Sequence, residues 1–117
     1  MSELSEVVRG LARREGIESV VLASADGLPI DHAGSISAEP EALAALAATM
    51  AQHATRLGEA AGRGELTTAV MEYRNGLAVL ALAGEGNCLI LLAAADTNLG
   101  PLLYDLRRHR PALSSLL

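Results

Sequence analysis

The chain has no lysine, no tryptophan and no phenylalanine, and it has one cysteine. Without lysine there is no Schiff-base nucleophile and no phosphate-loop cation, so mechanisms built on either are excluded. All nine basic residues are arginine, set against 14 acids for a net charge of −5. A nucleic-acid-binding domain carries a basic face, and two tyrosines are too few aromatics for base-stacking platforms. Nucleic acid is therefore not an expected partner. A lone cysteine, Cys88, leaves no internal disulfide and suits a reducing cytoplasm. The longest apolar region, 77–95, is broken by Gly84-Glu85-Gly86-Asn87, which argues against a membrane span. The first residues are acidic and show no signal-peptide pattern.

What is present is apolar. Half of the 117 residues are hydrophobic and the mean hydropathy is +0.29. That length and composition fit one folded domain, 1–117, with a real core. The apolar content is high for so small a domain, so some of the surface is expected to be covered by another chain.

Residues 2–15 read as a helix, with Leu4, Val7, Val8 and Leu11 at i, i+3, i+4 and i+7. Ser2 is its expected cap, Arg13 and Arg14 lie late, and Gly16 is the expected stop. Residues 17–24 read as a strand and Asp26-Gly27 as a two-residue hairpin turn. The return strand, 28–33, carries Pro29, which demotes it to a sheet edge. Strands are expected at 66–73, 77–83 and 88–94, joined by turns at Asn75-Gly76 and 84–87. The last two are nearly continuous apolar runs, as in strands buried on both faces. The mixed polarity of 66–73 suits the other edge. Asp96-Thr97-Asn98 caps a final helix with the stripe Leu99, Leu102, Leu103 and Leu106, which Pro111 ends or kinks.

The segment 37–62 organises the rest. It is alanine-rich, alanine is the best helix former, and Ser37 is its expected cap. On a helical wheel of about 3.6 residues per turn it divides into three arcs. Leu43, Leu46, Met50 and Leu57 form a large-apolar stripe, expected to face the sheet. Ala44, Ala48, Ala51, Thr55 and Gly58 form an arc of small residues, expected to meet the same helix in a second copy. Glu41, Thr49, Gln52, His53, Arg56 and Glu59 form a polar strip. Four of these, Gln52, His53, Arg56 and Glu59, are the expected partner-binding residues.

The order α-β-β-α-β-β-β-α implies an α+β three-layer sandwich. A five-stranded, mainly antiparallel sheet would carry the long helix on one face and the terminal helices on the other.

Catalytic and metal chemistry find little support. His32, His53 and His109 lie on separate elements and share no ligand spacing with one another or with Cys88. Asp26 reads as a turn residue. Asp31 and His32 lack the Gly-x-Ser-x-Gly elbow of a hydrolase. Gly62-Arg63-Gly64 and Gly84-Glu85-Gly86 read as helix stop and turn, not as phosphate cradles. No cofactor is expected. Arg56 and Arg63 have the chemistry of an arginine finger, but a solvated helix face is the favoured reading.

The stretch VVLASADGLPI resembles the first-hairpin signature of the roadblock (dynein light chain) family. TTAVMEYRNGLAVLALAGEGNCLILLAA matches its strand meander, and NLGPLLYDLRR resembles the start of its last helix. The likeness is greatest to bacterial MglB-type regulators of Ras-like GTPases. It implies a homodimer in which the meander's edge strand pairs with its copy and the long helices lie side by side. Thr68, Val70 and Glu72 would join the small arc in that interface. The resemblance also implies a non-enzymatic protein that binds a small Ras-like GTPase and modulates its activity, by reshaping the GTPase's switch segments without inserting a finger. A nucleotide-independent scaffold and a small-molecule sensor are the alternatives.

Overall fold

The computed structural model describes residues 3–35 and 39–116, with side chains for all of these but 110 and 112–116. The elements are α1 (Glu3–Ala12), β1 (Ile17–Ala23), β2 (Pro29–Gly34), α2 (Pro40–Ala60), β3 (Thr68–Tyr73), β4 (Gly76–Leu82), β5 (Cys88–Ala93) and α3 (Gly100–Leu116). The five strands form one antiparallel sheet in the order β2-β1-β5-β4-β3. The proline-bearing strand and the mixed-polarity strand are its two edges, as expected.

Alternation along the central strands divides the core in two. Val20, Leu22, Val79, Ala81, Leu89 and Leu91 point to one face, where Val8 of α1 and Leu102 and Leu106 of α3 cover them. Val21, Leu80, Cys88 and Ile90 point to the other, under Ala44 and Ala47 of α2. The three-layer arrangement is thus the expected one. α2 packs mainly over β1, β5, β2 and β4. The outer strand β3 is left at the helix's flank.

Several boundaries move for local reasons. α2 begins at Pro40 because Glu39 is extended, at φ −78° and ψ 124°. A residue before proline is pushed out of the helical region. The expected cap Ser37, like Ser2, lies outside the described residues. α1 stops at Ala12, so Arg13 and Arg14 follow the helix instead of closing it. The first hairpin loop has three residues, Ala25 to Gly27, not two. Ser24 N donates to the Leu28 carbonyl at 2.8 Å and Gly27 N to the Ser24 carbonyl at 3.0 Å, with Gly27 at φ 83°. In the second hairpin Tyr73 pairs with Gly76, so Arg74 and Asn75 occupy the turn. α3 continues through Pro111. That proline sits on the exposed side, where the carbonyl its ring leaves unbonded meets water.

Candidate functional site: the long helix and the β3 edge

The face assignment of α2 is the main correction. Its large-apolar stripe does not face the sheet. Leu46 is 64% exposed, Met50 41% and Leu57 71%; only Leu43 packs against the core. The small arc is what lies inward. Ala44 and Ala51 are buried, together with Ala47.

Some of the small residues stand at close approaches within the chain. A Cβ at Gly27 would stand 3.2 Å from the Ala45 Cα and 3.5 Å from the Ala48 Cβ, so the first hairpin loop rests directly on the helix. A Cβ at Gly58 would meet the Gly64 carbonyl oxygen at 2.5 Å. The chain returns over Gly58 because the helix ends in a Schellman motif. Arg63 N donates to the Gly58 carbonyl at 2.7 Å and Gly62 N to the Glu59 carbonyl at 3.0 Å, with Gly62 at φ 70°. Thr55 is half-buried. Part of this arc therefore packs within the chain. Of the arc expected to meet another copy, Ala44 and Ala51 are buried while Ala48, Thr55 and Gly58 stay partly exposed, and the stripe expected to face the sheet is free.

At β3, Ala69 and Met71 pack toward the α2-side core. Alternation places Thr68, Val70 and Glu72 on the opposite face, with Val70 47% exposed. Tyr73 is exposed on the α2 side, its hydroxyl donating to Met71 Sδ at 3.4 Å. Leu43 packs against the same cluster as Ala69 and Met71, so the apolar stripe of α2 leads onto the α2-side face of the sheet's open edge.

Of the polar strip, Gln52, His53, Arg56 and Glu59 are all exposed. Ala48, Ala51, Gln52, Thr55, Arg56 and Glu59 of α2 line a shallow groove of about 310 Å³ whose other wall is Ala25, Leu82 and Gly86. The two hairpin turns that build this wall are tied together. Asn87 Oδ1 accepts from Ala25 N at 3.2 Å, and a Cβ on Gly86 would stand 2.8 Å from the Ala25 Cβ. His53 lies outside the groove lining. Sequence reasoning missed this groove because its other wall comes from residues distant in the chain.

The remaining chemical candidates have structural roles. Asp31 ties β2 to α1, its Oδ2 accepting from Ser5 Oγ at 2.8 Å. Arg14 pairs with Asp105 at 2.7 Å and links the end of α1 to α3. Asn98 caps α3 through Gly100 N at 3.1 Å, while Thr97 Oγ1 donates to the Gly16 carbonyl at 3.4 Å. Cys88 is 1% exposed, and burial pushes its thiol up to about 11, the opposite of an activated nucleophile. Among the described residues no group of three histidine, cysteine or acidic side chains could hold a metal. No described helix is long and apolar enough to cross a membrane.

Comparison with known proteins agrees with this architecture. A roadblock/LC7 domain from Streptomyces avermitilis superposes with a TM-score of 0.81 at 29% identity, covering 96% of this chain and 98% of that one. The gliding protein MglB of Thermus thermophilus gives 0.82 at 22% identity, over 97% and 87% of the two chains. Myxococcus xanthus MglB gives 0.89 at 19% identity, over 99% and 95%; at these identities the MglB likeness is one of fold. Among proteins of curated function no sequence matches. The roadblock/LC7 domain pattern matches residues 3–93, and the chain belongs to the roadblock/LC7 domain family.

Proposed function

We propose that two copies of this chain pair through α2 and β3, and that the pair binds a small Ras-like GTPase and modulates its GTP hydrolysis without being an enzyme itself. The observation that carries the reading is the uncovered stripe Leu46, Met50 and Leu57 beside an open edge strand. Three large apolar side chains on one helix flank are costly in water, at about 25 cal/mol per Å² of apolar surface. An isologous two-fold contact would bury each stripe against its copy. The interface in this reading is Leu46, Met50, Leu57 and the β3 edge with Val70 and Tyr73, in place of the small arc.

Pairing of this kind leaves the polar strip of each α2 at the rim of the seam. Gln52, His53, Arg56 and Glu59 are the residues proposed to touch the GTPase, with the groove beside them as the place for a partner side chain. The choice of a GTPase rests on the resemblance to MglB-type regulators. The protein would act by binding one nucleotide-dependent conformation of the GTPase more tightly than the other.

The test uses a purified Ras-like GTPase. Single-turnover GTP hydrolysis and binding are measured with GDP and with a non-hydrolysable GTP analogue. The reading expects nucleotide-dependent binding and a changed hydrolysis rate, both weakened about tenfold or more by Arg56→Ala combined with Gln52→Ala. Binding that ignores the nucleotide would leave a scaffold. No binding in either state would overturn the reading for that pair.

A further inference from the structure

Six of the nine arginines lie in one layer of this molecule, which also holds the acids Glu3, Glu6 and Asp105. Arg9, Arg13, Arg14, Arg107, Arg108 and Arg110 all belong to α1, its following turn, or α3. These two helices form the layer on the side of the sheet away from α2. On α3, Tyr104, Arg107, Arg108 and Pro111 stand at i, i+3, i+4 and i+7, so they share one face. All four are exposed, Tyr104 by 64%. Asp105, the acid nearest to them in sequence, is held by Arg14 on another side of the helix. The eleven residues after Leu106, RRHRPALSSLL, contain no acid and include three leucines. Arg13 adds an exposed cation at the end of α1. Tyr104, Arg107 and Arg108 lie outside both core clusters and outside the GTPase reading.

We propose that the outer face of the α1/α3 layer docks on an anionic lipid surface. Guanidinium groups pair with phosphate oxygens bidentately, and an exposed tyrosine among arginines is suited to the headgroup region. The net charge of −5 does not prevent this, because charges farther than a Debye length of about 8 Å are largely screened. The geometry of the proposed dimer strengthens it, and in that respect the inference rests on the pairing reading. If the two sheets join through β3 with both α2 helices on one face, both α1/α3 layers face the opposite way. The dimer then offers two cationic faces to one plane, and the second engages at high effective concentration. The α2 faces remain turned away from the lipid and open to a GTPase.

The experiment is co-sedimentation of the full chain with vesicles of phosphatidylcholine, with and without phosphatidylglycerol, at low and high salt. The expected result is sedimentation only with phosphatidylglycerol, lost as salt rises. At about 1 kcal/mol, or fivefold, per basic residue at such a surface, Arg107→Gln with Arg108→Gln lowers the partition coefficient about 25-fold. Arg63→Gln on the other side of the sheet leaves it unchanged. Circular dichroism checks that both variants fold. Equal binding to neutral vesicles, or binding untouched by the α3 variant, overturns the proposal. So does absence of binding by a protein that light scattering shows to be dimeric. A monomer that still binds phosphatidylglycerol keeps the lipid face and removes the pairing reading.

Discussion

Single residues in this chain are chosen by how near other backbone comes. Gly27 combines φ 83° with a helix backbone 3.2 Å from where a Cβ would stand. Gly27→Ala is expected to cost about 1–3 kcal/mol. Gly10, on exposed helix with nothing within 4 Å of a Cβ, is the control. Gly10→Ala should stabilise by about 0.5–1 kcal/mol. Urea midpoints of the two variants should move in opposite directions. Cys88 gives a pH dependence with a definite sign. Its thiol rises from an ordinary 9.0 to about 11 on burial. Below pH 9 it is protonated in both states and contributes no slope. Above that the unfolded chain ionises first, so stability falls by about 1.4 kcal/mol per pH unit until the folded thiol also titrates near 11. The difference in urea midpoint between wild type and Cys88→Ala, followed from pH 8 to beyond 10, should show this slope.

At the scale of elements, the strands and the places of the turns were the legible part, while the hairpin loops' exact residues were not. β4 and β5 are continuous apolar runs because both faces are covered, and the Pro29 and mixed-polarity strands are edges for the reasons their residues state. The helix faces were not legible. A wheel shows which residues share an arc, not how far away the neighbouring backbone lies. Size favoured putting Leu46, Met50 and Leu57 inward; the close approach of the sheet and of Gly27 and Gly64 put alanine and glycine there instead. The difference is open to direct test. Ala44→Leu should overpack the sheet contact and cost about 1–3 kcal/mol. Leu57→Glu, at a side chain 71% exposed, should leave the fold intact. If α2 is a seam between copies, Leu57→Glu should also abolish any dependence of the thermal midpoint on protein concentration. The groove between α2 and the hairpin turns stayed hidden because Ala25, Leu82 and Gly86 meet the helix only in three dimensions.

For the whole molecule, the hairpin, meander and last-helix segments foretold the family, while composition raised the expectation of a covered surface. A half-hydrophobic chain of 117 residues, with small side chains spent on close intramolecular packing, has large ones left over. They gather on one flank of α2, next to an edge strand that ends the sheet. Family membership and the three-layer architecture agree with the order of elements read from the chain. The partner does not follow from the chain's residues, since recognition of another protein is written in surface shape that local patterning does not encode. Everything proposed about function depends first on what covers the α2 stripe. Size-exclusion chromatography with light scattering, on wild type and on Leu46→Glu with Leu57→Glu, tests this most directly. The account expects a wild-type mass of twice the 12.1 kDa chain and a folded variant at the chain mass. A monomeric wild type, or a variant that remains a dimer, would contradict it.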